Sequence, residues 1–197
     1  MLENMFNLKF NSVMAKLSTY ERFIRNVAVP IMQSCNSFKL HDLIAGHSDK
    51  TTPISAKQMN SLLNKIRMDI EDFDNSDLEF YHSHQADGLL QIVGSSLRRE
   101  LNSTVVVLYE DNYNKNRIIS KILTWLGYDC VLEGDKIHYV GFTFIFIPSF
   151  YKLNLKELAV NYFLIYNFND SGDLDKIKES ITEYGKTHAV KTIIYGF

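Results

Sequence analysis

The sequence predicts an α+β fold in which a long N-terminal helical hairpin precedes an α/β unit with a mainly parallel sheet. Two observations carry this. Up to about residue 101 apolar residues recur at steps of three and four with almost no strand pattern, whereas from Ser103 onward β-branched and aromatic runs alternate with amphipathic stretches. The shift near Leu101 to Ser103 divides the chain into a helical region over 1–101 and an α/β domain over 102–197. A length of 197 residues accommodates two units of that size, each with its own core.

The first arm of the hairpin carries Tyr20, Phe23, Ile24, Val27, Ile31, Cys35 and Phe38 on one helical stripe. Pro30 lies inside that stripe. It lacks an N–H and its ring crowds the carbonyl four residues back, so the helix should kink near Asn26 to Pro30. The breaker-rich stretch from Gly46 to Pro53 reads as the turn, with Thr52 or Ser55 placed to cap the second arm. That arm repeats the pattern in Met59, Leu62, Leu63, Ile66, Ile70 and Phe73, and breaks at Asp74-Asn75-Ser76. Two such helices cannot bury both stripes alone and need either another domain or a second copy; a four-helix bundle in a homodimer is the economical expectation.

The second half reads as strand 104–109, helix 116–126, strands 129–132, 143–147 and 161–166, helix 174–184 and strand 191–195. Strands written as continuous apolar runs and separated by helices indicate a parallel sheet covered on both faces. In such sheets function gathers at the carboxyl ends of the strands.

Charge and cysteine content narrow the function classes. Lys+Arg 21 against Asp+Glu 23 leaves a net charge of -2, without the basic surplus that phosphate neutralisation demands, so no nucleic-acid partner is expected. Cys35 and Cys130 stand apart from each other and from any metal-ligand spacing, which fits small buried residues in a reducing, cytoplasmic setting. No apolar run approaches the roughly 20 residues of a membrane span.

Val105-Val-Val-Leu-Tyr-Glu110-Asp111-Asn112, followed by Asn116-Arg117 and Leu123-Thr-Trp-Leu-Gly127-Tyr128, resembles the opening of response-regulator receiver domains. In that family an acidic pair at the end of the first strand holds Mg²⁺ beside a phosphoacceptor Asp. The resemblance implies that Glu110 and Asp111 could bind a cation; read from the residues alone, they equally suit the N-terminus of the following helix. Elsewhere the family pattern is lost. The third strand ends in Pro148-Ser149 where the acceptor Asp belongs, the fourth ends in Tyr166-Asn167, the fifth offers Tyr195-Gly196 instead of Lys-Pro, and the second helix shrinks to Glu133-Gly-Asp-Lys136. The resemblance therefore implies a degenerate receiver that is not phosphorylated in the usual way.

Arg25-Asn-Val-Ala-Val-Pro30-Ile31 is similar to the H-box of sensor histidine kinases, with Arg25 where the phosphorylated His stands and Pro30 where the helix kinks. The stretch from Leu62 to Phe80 resembles the end of the dimerisation hairpin and the short strand that leaves it. The family's nucleotide-binding domain has no counterpart within these 197 residues. Together the resemblances imply a non-catalytic two-component signalling module, a pseudo-histidine kinase with a degenerate receiver, that docks to a histidine kinase or response regulator. An Arg cannot accept the phosphoryl group.

Two alternatives stand beside it. His41-Asp42 on a helix is similar to phosphotransfer proteins, in which an acid orients the phosphorylated His, so the chain could be a phosphotransferase using His41. It could also be an unrelated α+β structural or virus-encoded interaction protein. Tyr81-His82-Ser83-His84 bears a superficial likeness to the His-Ser-His of metal-dependent isopeptidases, but the Ser and Asp that family requires do not follow, and a solvated pair is the plainer reading.

Overall fold

The computed structural model describes residues 17–34, 55–84, 87–99, 102–127, 130–148, 158–166 and 171–196. The joining turn of the hairpin lies outside these residues, as do Cys35, Phe38, His41 and His47, so the long hairpin itself is not seen. Its two arms are.

The first arm, α1, opens over Thr19–Phe23 behind Ser18, whose Oγ accepts the Glu21 N–H at 3.2 Å. It passes into a π-helix over Ile24–Ala28 and returns to α-helix over Val29–Ser34. Ahead of Pro30, where a kink is expected, the helix has a widened turn, with the Val29 N–H donating to the Ile24 carbonyl five residues back. Pro30 has no proton to give the Asn26 carbonyl and its ring pushes that carbonyl outward, which favours the wider register.

The second arm, α2, spans Ala56–Asn75. Ser55 caps it in a reciprocal box: Ser55 Oγ accepts the Gln58 N–H at 3.3 Å while Gln58 Oε1 accepts the Ser55 N–H at 2.8 Å. The remaining elements are β1 Phe80–His84, α3 Asp87–Arg98, β2 Ser103–Tyr109, α4 Asn112–Leu126, β3 Cys130–Glu133, β4 Lys136–Tyr139, β5 Phe142–Pro148, β6 Tyr162–Tyr166, α5 Ser171–Gly185 and β7 Lys191–Gly196.

All seven strands form one sheet in the order β1-β7-β6-β2-β5-β4-β3. It is mostly parallel; only the β3–β4 and β4–β5 pairs run antiparallel. The segment read as the remnant of a second helix is instead the two-residue turn of the β3–β4 hairpin, where Gly134 takes φ 59°. β4 escaped the sequence reading because its four residues, Lys-Ile-His-Tyr, mix charge with apolar character. In the doubly wound order 2-1-3-4-5 the first strand lies between the second and the third. Here the first strand of the α/β half, β2, lies between β5 and β6.

The turn between β4 and β5 holds a local strain. Val140 has φ 34° and Gly141 φ 82°, the two left-handed residues of a tight type I′ hairpin turn, and a β-branched residue is poorly suited to that backbone. Val140 is also 48% exposed, so its side chain gains little from packing. Val140→Asn is expected to raise stability by about 1 kcal/mol, read as a higher urea midpoint at unchanged slope.

Alternation along the strands sorts the two faces. Val105, Val107 and Tyr109 of β2 join a core with α1, α2, α3 and α4, while Val106 and Leu108 meet α5 on the other side. Ile24 of α1 and Phe73 of α2 are 0% exposed and Ile70 is 1% exposed, so the described parts of both apolar stripes are buried within one chain. Burying each of these side chains contributes about 1.5–3 kcal/mol. β1, which comes from the helical half, pairs with β7 from the α/β half, so the two halves share one sheet and one core. Among the described residues no helix is long and apolar enough to cross a membrane.

Candidate functional site

β2 leads into α4 on one face of the sheet and β6 is followed by α5 on the other, so the carboxyl ends of β2 and β6 mark the place where the topology reverses. Ligands of open α/β sheets gather at such points. The register brings Tyr109 of β2 opposite Tyr166 of β6 and opposite Pro148 of β5. β5 thus closes on Pro148, and the two tyrosines paired across β2 and β6, Tyr109 and Tyr166, are buried, 4% and 1% exposed. Burial raises the Tyr166 phenol above its ordinary value, partly offset by the Arg117 charge.

The acidic pair follows Tyr109 directly. Asp111 is the N-cap of α4, its Oδ1 accepting the Asn114 N–H at 2.7 Å, and the helix begins at Asn112, one turn before the expected Asn116. One carboxylate oxygen of the pair is therefore engaged in holding the first turn of α4. Glu110 is half-buried beside it. Lys115 reaches across to Asp135 in the β3–β4 turn, which raises its pKa, and lies 5.7 Å from the centre of the Tyr109 ring.

The other expected site residues lie elsewhere. Arg25 is exposed on the π-helical turn of α1, 4.0 Å from Glu21, and Glu21 is gripped by Arg67 of α2 at 3.1 and 2.9 Å. Arg25 is thus the second cation of an ion pair that joins α1 to α2. Pro30 is exposed on the following turn. His82 is exposed on β1, His84 belongs to the same strand opposite Gly196, and Cys130 is half-buried at the start of β3.

A cluster the sequence did not disclose sits at the opposite, amino edge of the sheet. The Asp74 side chain, 3% exposed at the end of α2, accepts from Ser95 and from Arg98 at 2.9 Å, and Arg99 lies 3.3 Å away. Ser95 also meets the Tyr162 hydroxyl at 2.9 Å, and Lys191 donates to the carbonyls of Phe73 and Asp74, the latter at 2.8 Å. Burial raises the pKa of the Tyr162 phenol and lowers that of the Lys191 ammonium from their ordinary values. These residues come from α2, α3, β6 and β7, and each is satisfied by the others. The cluster is chemically a lock between helices and sheet: its carboxylate and hydroxyl are saturated with partners. No protein-family model, curated protein or solved structure matches the chain at a significant level.

Proposed function

We propose that the chain is a non-catalytic docking module that acts by binding a partner protein, with no phosphotransfer chemistry of its own. The observation that supports this reading is the carboxyl edge of the sheet. Pro148 and Tyr166 stand opposite Tyr109, where a phosphoacceptor carboxylate would be needed, and Asp111 is engaged as the cap of α4. A phosphoryl acceptor needs a nucleophile open to attack, and neither a proline nor a buried, protonated phenol supplies one at neutral pH. Arg25, on the kinase-like turn, is no acceptor either. Placing the partner among histidine kinases or response regulators rests on the motif resemblances alone; the docking reading does not depend on the strand order, which differs from that of receivers.

Incubation with acetyl phosphate, and separately with a phosphorylated receiver, tests the reading by intact mass. The expected result is an unchanged mass of 22.8 kDa under both conditions. Acid-labile phosphate on His41 would make the chain a phosphotransferase and end the docking-only reading.

A further inference from the structure

The outer surface of α4 is basic. Over Asn112–Leu126 it carries Lys115, Arg117 and Lys121 and no acidic residue, in a chain whose net charge is -2. α5, on the opposite face of the sheet, carries Asp173, Asp175, Glu179 and Glu183 against Lys176 and Lys178. The charges of the two helices are therefore segregated to opposite sides of the sheet.

The arrangement along α4 is regular. Tyr113, Arg117, Lys121 and Trp125 recur at steps of four, which stacks them on one side of the helix over roughly 18 Å. Tyr113 is 72% exposed and Arg117 is exposed with no carboxylate partner among the described residues. Lys121 lies 5.8 Å from the Trp125 ring centre and 5.7 Å from that of Tyr166, so two aromatic faces fix the ammonium over the end of β6. Lys115, by contrast, is held by Asp135 and is not part of the stripe. Tyrosine, tryptophan and arginine are the side chains that most often anchor protein interfaces, because they bring large contact area and directional polar groups together.

We infer that this stripe docks an acidic, amphipathic helix of a partner protein, with carboxylates on Arg117 and Lys121 and an apolar side chain against Tyr113. Charge complementarity selects the class of partner. Two cations on a single helix, on a chain of net negative charge, match a short acidic protein segment; a nucleic acid would require a longer basic track. The inference rests on the docking reading above and gives it a face.

The test uses the full chain and a fluorescein-labelled helical peptide repeating Glu-Glu-Leu, about 12 residues long to match the stripe. Anisotropy is expected to report saturable binding that weakens about tenfold or more in Arg117→Glu and again in Arg117→Glu/Lys121→Glu, while Lys176→Glu on α5 leaves it unchanged. Raising the salt is expected to weaken it as well. Arg117→Glu alone is exposed, and a matching thermal melt shows that the fold is intact. Absence of saturable binding by the parent chain, or affinity indifferent to Arg117→Glu, overturns the inference. So does tighter binding of single-stranded oligothymidylate through the same residues, or self-association abolished by Arg117→Glu, which would assign the stripe to a second copy's acidic face. Failure here removes this face and leaves docking standing, whereas phosphate on His41 removes the docking-only reading whatever the peptide does.

Discussion

Replacing Asp74 with alanine is expected to destabilise the protein by about 3 kcal/mol, measured as a drop in urea midpoint at unchanged slope. The side chain is 3% exposed, accepts from Ser95 and Arg98 and forms an ion pair with Arg99. Removing one member of a buried ion pair costs about 3–5 kcal/mol when the charge left behind is trapped. Here Arg98 and Arg99 are 37% and 47% exposed, so each can turn to water, which places the expected cost at the lower end. Two comparisons isolate the cause. Asp74→Asn keeps an acceptor for Ser95 and loses only the charge, so it should fall between alanine and the parent. Glu71→Ala removes the exposed partner of Arg98, at 54% side-chain exposure, and should change stability by less than about 1 kcal/mol. A loss below about 1 kcal/mol for Asp74→Ala would mean that the carboxylate merely occupies the junction and does not lock it.

That lock explains what the sequence could and could not disclose. The central strands of the second half were legible, though β4 was not, because runs such as Val105-Val-Val-Leu108 leave no polar face, which is the mark of a sheet buried on both sides. Ser55 was legible as one of two candidate caps, beside Thr52, because capping chemistry is local; the reciprocal bond from Ser55 N–H to Gln58 came from the structure. That Pro30 disturbs the helix ahead of it was legible for the same reason of locality, since a missing N–H acts on the carbonyl four residues back. Asp74, Ser95, Tyr162 and Lys191, in contrast, are separated by up to 117 residues and obey no local pattern. Only the fold brings them together.

The apolar stripes of α1 and α2 teach a related point. Periodicity tells which side of a helix is buried and is silent about what buries it. For the described residues of α1 and α2 the chain's own sheet, through Phe73, Tyr162 and Val105, is part of what covers them. The acidic pair was similarly ambiguous: Glu110-Asp111 suits a cation site and a helix start alike, and the Asp111–Asn114 bond shows one of its oxygens used for the helix. The inward stripe of α4, Ile118, Ile122 and Leu126, was identified by the structure.

Phe73→Ala is expected to have the largest effect of any single change, about 4–5 kcal/mol. The ring is 0% exposed and lies where α2, β1, β6 and β7 converge. Tyr81 of β1 meets it edge-on at 5.4 Å between centres, Tyr162 of β6 is stacked at 6.2 Å, and the Lys191 ammonium of β7 sits 4.9 Å from its centre. Truncation removes the transfer energy of the ring, leaves a cavity that three separate elements cannot collapse into together, and takes away the aromatic pairs. The shape of the transition is as informative as its midpoint. If the helices and the sheet share one core, far-ultraviolet circular dichroism and the fluorescence of Trp125 on α4 should lose stability by the same amount, because unfolding is a single step. Two separated transitions, with the Trp125 signal unmoved, would show that α1 and α2 fold apart from the sheet. Phe73→Ala combined with Asp74→Ala should cost less than the sum of the two, since Lys191 donates to the carbonyls of both residues and each single change already loosens that contact.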